Sequence, residues 1–411
     1  MIVLLVCFLL LQASGQEIPW YEYRSLGVFS MPKPAFTFVN EFRGQPSLMI
    51  TSFGTTFGSV SIVPSVADHL SGWDTTVPDV MVDDIIWPNE VEAVPEAVFG
   101  EKDLFLVCGG FLAVPRSNTG QVTLLDGRAD NVTAYQLSTD EEGFFYHSAH
   151  WLDVDADGDL DIITAKVDFP TVGTPQGRLL WLENPGDFTT GPWTESFLHD
   201  GPDVFFRLSD LDGDGILEIV ATQFFSEKLA LLWNDVGNYA DAGSWHSRVI
   251  DDTIGAAFDV VVVDLNRDGA DDLLVTNHQH DESESAVFAY EIPTDIRNGT
   301  FARRTIASGF VTKQPGANQA SPGSPRPFHP YLNATEMEKP HIVVAGDGTQ
   351  QLHLLRPRSA DPDDWDYIME TMIDVSSTVG LMSVADVDGD GRAEIFTPSY
   401  DRNEVYAFQF Y

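Results

Sequence analysis

Short apolar runs bounded by Asp, Gly and Asn recur along this chain with a steady phase. Four of them each follow an acidic residue: Ile162-Ile163-Thr164, Ile219-Val220-Ala221, Leu273-Leu274-Val275 and Ile395-Phe396-Thr397. Runs this short, rich in β-branched residues and closed by turn formers, predict strands. The same phase continues in Ser47-Leu48-Met49-Ile50-Thr51, Asp103-Leu104-Phe105-Leu106-Val107 and His341-Ile342-Val343-Val344-Ala345. Phase markers therefore fall at residues 47, 103, 161, 218, 272, 341 and 394. A period of about 56 residues with one longer interval is the signature of a propeller or solenoid.

Each unit holds four strand-like segments. In the fifth they read Val260–Asp264, Asp272–Thr276, Ala286–Ile292 and Phe301–Ile306. The fourth segment often follows a Trp, as at Trp193, Trp245 and Trp365, and these indoles are expected in the core between units. The seventh unit ends at Tyr411 after its third strand, yet Trp20–Leu26 has the form of a fourth. That segment is expected to complete the last unit, closing the ring and removing an exposed sheet edge. The expected fold is all-β: a seven-bladed propeller spanning residues 16–411 as one domain.

Ahead of the four acid-led strands stands one recurring loop. It reads Asp153-Val154-Asp155-Ala156-Asp157-Gly158-Asp159-Leu160-Asp161, with counterparts at 210–218, 264–272 and 386–394. Oxygen side chains at positions 1, 3, 5 and 9, with Gly at position 6, suit a hard cation such as Ca2+, which takes six to eight oxygen ligands. An EF-hand begins the same way but needs a bidentate Glu at position 12 and a following helix. Position 12 is Thr164, Ala221, Val275 and Thr397, and a strand follows, so an EF-hand is excluded.

Asp-x-Asp-x-Asp-Gly-x-x-Asp/Glu followed by an apolar strand resembles the FG-GAP/VCBS repeats of secreted propellers, related to the integrin α-subunit N-terminal domain. The resemblance covers the mature chain, with specific motifs in four of seven units. It implies that each loop joins the first and second strands of a blade and binds Ca2+, about four ions in all. The implied side-chain ligands are Asp153, Asp155, Asp157 and Asp161; Asp210, Asp212, Asp214 and Glu218; Asp264, Asn266, Asp268 and Asp272; and Asp386, Asp388, Asp390 and Glu394. Position 7 would add the backbone carbonyls of Asp159, Ile216, Ala270 and Arg392. Units one, two and six lack the acids and are expected to hold no ion.

Residues 1–15 resemble a secretory signal, apolar from Ile2 to Leu11 with Ala13-Ser14-Gly15 before the cleavage point. No later run approaches the roughly 20 apolar residues of a membrane helix. Secretion fits three glycosylation sequons, at Asn131, Asn298 and Asn333. Cys108 is the single cysteine after the signal, and its apolar neighbours predict a buried thiol. The net charge of −41 argues against nucleic acid and for a solvated, cation-binding surface.

No nucleophile elbow, His-Glu-x-x-His pair or phosphate loop is present. His147 and His150 precede the first cation loop, on a strand expected to line the central channel. The chain is expected to be an extracellular recognition, adhesion or matrix module with a protein or glycan partner, rather than an enzyme. Two alternatives remain open: a carbohydrate-active enzyme using channel His and acids, of polysaccharide lyase or sugar dehydratase type, and an acidic matrix protein associated with calcium mineral.

Overall fold

The structure, a computed structural model, describes residues 21–54, 58–110, 120–168, 170, 173–313, 320–332 and 338–411. The signal segment, Trp20 and Asn333 lie outside the described residues. Among the described residues, twenty-eight strands form seven four-stranded antiparallel sheets, each a blade. Six blades take their strands in chain order. The seventh combines Ser383–Ala385, Glu394–Ser399 and Glu404–Phe410 with Tyr23–Ser30 from the other end of the chain. The closing strand thus runs further than the Trp20–Leu26 segment, and pairs from Tyr23↔Phe410 to Ser30↔Glu404.

The apolar phase markers open the second strand of every blade, or fall within two residues of its start. Their runs are continuous because both faces are buried. Successive residues of a strand point to opposite faces, and here each face meets a different neighbour. Ile162 packs in the cluster between blades two and three, and Ile163 in the cluster between three and four. Leu273 and Val275 face blade four, whereas Leu274 faces blade six. One such cluster fills every junction between adjacent blades, including the junction of seven with one. The expected core indoles are placed accordingly: Trp193 and Trp245 are buried, and Trp365 packs against the cluster of blades five and six. Cys108 is buried in the cluster of blades two and three.

The first strands surround the axis. Each packs against the first strand of the next blade around most of the ring, and His150 meets the Phe206 carbonyl to join blades three and four. Antiparallel order sorts the connections by end. Loops from first to second strand and from third to fourth share one end of the ring. Second-to-third turns and the links between blades share the other. The second end carries half-buried aromatic rings, including Phe53 stacked on Trp87 at 5.0 Å and 3°, Phe224, Phe225 and Phe258.

Candidate metal centres at the blade loops

All four acidic loops join a first to a second strand: Leu152 to Asp161, Ser209 to Glu218, Val263 to Asp272 and Ala385 to Glu394. In every case the ninth-position acid is paired across the ladder with the residue just before the loop. That shared register brings position 9 back beneath position 1.

Within each loop the backbone N–H groups turn inward onto the carboxylates. The ninth-position acid accepts from position 2: Val154 N to Asp161 at 3.2 Å, Leu211 N to Glu218 at 2.9 Å, Leu265 N to Asp272 at 3.1 Å and Val387 N to Glu394 at 3.0 Å. The first-position Asp accepts from the position-6 Gly, as Gly215 N to Asp210 and Gly391 N to Asp386, both at 3.0 Å. Position 5 accepts from position 7, as Ile216 N to Asp214 at 2.8 Å and Arg392 N to Asp390 at 2.9 Å. The glycines are required by geometry: φ is +100°, +87°, +91° and +84° at Gly158, Gly215, Gly269 and Gly391, where a side chain is strained. Position 4 is also left-handed, occupied by Gly213 and Gly389 in two loops and by Ala156 and Arg267 in the others. The sequence reading missed that second requirement.

Three of the loops gather acids tightly. One oxygen each from Asp153, Asp155 and Asp161 lies within 4.8 Å of the others, as in the sets Asp210, Asp212, Glu218 and Asp386, Asp388, Glu394. Asn266 replaces the position-3 acid in the remaining loop, accepting from Asp268 N at 3.0 Å and donating to Asp268 Oδ2 at 2.9 Å. The ninth-position acids are 0–3% exposed. Burial pushes the Asp161 carboxyl up to about 6 and those of Glu218, Asp272 and Glu394 to about 7, partly opposed by the N–H groups they accept. Neighbouring loop acids raise them further. Asp153 Oδ1, Glu218 Oε1 and Glu394 Oε1 are buried without a hydrogen-bond partner among the described residues. A hard dication meets all three conditions: it satisfies the bare oxygens, offsets the repulsion and favours ionised acids. The residues present fit such an ion.

Loops of the other blades are built differently. Blade one turns tightly through Arg43 and Gly44, and blade two inserts a helical turn, Glu96–Phe99. In blade six the buried Lys339 ammonium donates to the backbone carbonyls of Asp361 and Asp364. There a protein cation ties the neighbouring loop in place.

The channel histidines separate in space. His147 is buried with its ring edge-on to Phe205 at 4.4 Å. His150 is partly open, its Nε2 3.0 Å from the Phe206 carbonyl and its Nδ1 3.5 Å from Glu92. Further round the axis, the fully buried Asp259 accepts from Arg207 at 3.2 Å and from Arg326 at 3.0 Å. A mixed His/Glu/Arg/Asp belt therefore lines the first strands. The sequence reading found His150 but not the rest of the belt; its own partners, Glu92 and the Phe206 carbonyl, come from blades two and four. Asn131 and Asn298 are exposed.

Residues 210–275 match the family model described as an FG-GAP-like repeat. That stretch runs from the second acidic loop to the strand after the third. The chain is thus a seven-bladed β-propeller that carries an FG-GAP-like repeat in its fourth and fifth blades. No curated protein matches the sequence. Among solved structures it is similar to the AfRom2 CNH domain, with a TM-score of 0.49 and 10% identity over 94% of this chain and 98% of that one. Among the described residues no helix is long and apolar enough to cross a membrane.

Proposed function

We propose that this is a secreted calcium-binding β-propeller serving as an extracellular recognition module. About four ions would be held by the side chains at positions 1, 3, 5 and 9 of the four loops, with the position-7 carbonyls of Asp159, Ile216, Ala270 and Arg392 completing the shells. One observation carries the metal reading: the buried ninth-position carboxylates of Glu218 and Glu394 each keep an oxygen unpartnered while two further acids converge on it. Bound calcium supplies charge neutralisation, and the chain's own N–H groups hold the acids in place for it. Extracellular modules of this kind bind at about 10⁻⁴–10⁻³ M, so millimolar calcium outside the cell keeps them filled. Residues 1–15 and the sequons support that location.

The aromatic end of the ring, opposite the loops, is the surface we assign to recognition of a protein or glycan. Half-buried rings such as Trp87 and Phe53 offer stacking faces at low entropic cost. A glycan array and a matrix-protein panel test this with wild type and Trp87→Ala. Hits that survive the substitution unchanged would move the binding face elsewhere. The loops are tested by calorimetric calcium titration, for which we expect about four equivalents; no measurable binding would sink the metal reading.

The channel belt favours a second reading, carbohydrate chemistry at His150 and Glu92. His150→Ala would abolish activity on a screened polysaccharide, and full retention would remove that residue from the mechanism.

A further inference from the structure

The four acidic loops are not equivalent, and what distinguishes the second is a side chain from another blade. Arg297 sits on the loop between the third and fourth strands of blade five, Ala286–Glu291 and Ala302–Ser308. It reaches across to blade four, where its Nη1 donates to Asp212 Oδ2 at 2.7 Å and its Nη2 lies 3.6 Å from Asp214 Oδ2. The other oxygens of these two acids are already engaged. Asp212 Oδ1 accepts from Asp214 N at 3.3 Å, and Asp214 Oδ1 accepts from Ile216 N at 2.8 Å. Every carboxylate oxygen at positions 3 and 5 of this loop is thus taken.

The other loops lack such a clamp. Among the described residues, Asp155, Asp157 and Asp388 form no ion pair with Lys or Arg, and Asp390 has Arg392 only at 3.9 Å. In the third loop Arg267 stands 3.9 Å from Asp264. The guanidinium at the second loop is nevertheless an incomplete substitute for a cation. It stays at the mouth, 34% exposed, while Glu218 Oε1 beneath it, on a residue 1% exposed, remains unpartnered. A dication has that oxygen still to gain.

We propose that Arg297 is a built-in competitor for the cation of the second loop, so that this site fills last and its filling displaces the guanidinium. This rests on the calcium reading above. Displacement requires only a side-chain swing, because the loop backbone is pinned independently. Arg248, from the fourth strand of blade four, donates to the Ile296 carbonyl at 3.0 Å and the Gly299 carbonyl at 2.8 Å, and Gly299 N closes onto the Asp295 carbonyl at 2.6 Å. A freed Arg297 emerges beside the exposed Asn298 sequon. Filling this one site therefore changes the charge presented at the surface between blades four and five.

Calcium titration of the full-length protein by calorimetry, with melting curves in calcium and in EDTA, tests the proposal on wild type, Arg297→Gln and Arg297→Lys. Wild type should show one site about tenfold weaker than the tight class, the scale of a charge-assisted, partly exposed pair. Arg297→Gln should move that site into the tight class. The same variant should melt lower than wild type in EDTA yet match it in saturating calcium. Arg297→Lys should retain the weak site, separating charge competition from loss of packing. A weak site unchanged or weakened further in Arg297→Gln would show that Arg297 supports the ion rather than competing with it, and would overturn this inference alone. No binding by any variant, wild type included, would remove the calcium reading and this inference together.

Discussion

At the scale of single residues, the protein keeps several titratable side chains where water cannot reach them. Glu394 is the sharpest case: fully buried, one oxygen on Val387 N and the other bare. Glu394→Gln keeps the shape but halves the acceptor capacity and removes the charge a cation would neutralise. We expect it to lower stability by about 1–3 kcal/mol in calcium and to be neutral or stabilising in EDTA, where a buried charge is costly. Chemical denaturation under both conditions reads this, and equal losses in the two buffers would contradict it. His353 is a case of the opposite sign. Its Nε2 lies 2.9 Å from Thr349 Oγ1, and burial, with Lys313 nearby and Asp374 opposing, lowers its pKa from 6.5 to about 4. The unfolded chain then binds this proton first, so stability is full above about pH 6.5 and drains away as pH falls toward 4. His341 is pushed the same way, to about 3. His353→Gln should flatten the upper part of that acid limb by about 2–3 kcal/mol, measured as denaturation midpoints across pH.

At the scale of elements, the closing strand carries a demand that its composition does not advertise. Tyr23–Ser30 pairs with Glu404–Phe410 through a bulge between Ser25 and Gly27. At the bulge Gly27 has φ +130°, and a Cβ there would lie 2.2 Å from Asp74 Oδ1. Asp74 in turn accepts from Val28 N at 2.7 Å, tying the strand to the 3₁₀ stretch Val66–Thr75. Gly27→Ala should therefore cost about 2 kcal/mol or more and open the junction of blades seven and one. Size-exclusion chromatography should show new oligomers as the freed edge pairs between chains; a monomer of unchanged melting temperature would contradict this. The acidic loops behave as elements in the same sense. Their motif was legible because spacing alone brings positions 1, 3, 5 and 9 onto one centre. Their register was not, since it depends on Leu152↔Asp161 and its counterparts pairing across the ladder.

For the whole molecule, cohesion comes from seven apolar junctions, and the loops act on one end of that ring. Chelation should lower the melting temperature without splitting the transition, because every blade shares a core with two neighbours. Scanning calorimetry with and without EDTA decides it, and an unchanged midpoint would contradict the stapling role. The number of blades, the order of their strands, the closure by the N-terminal strand and the identity of the acidic loops were all written in the chain. Hydrophobic period and ligand spacing are local properties, and a repeat states them seven times over. Only the tertiary structure decided that Arg297 reaches the second loop from another blade, that Lys339 ties carbonyls where the acids are missing, and that His150 meets Glu92 while His147 does not. Such partners are remote in sequence and are brought together by ring closure, which no spacing along the chain records.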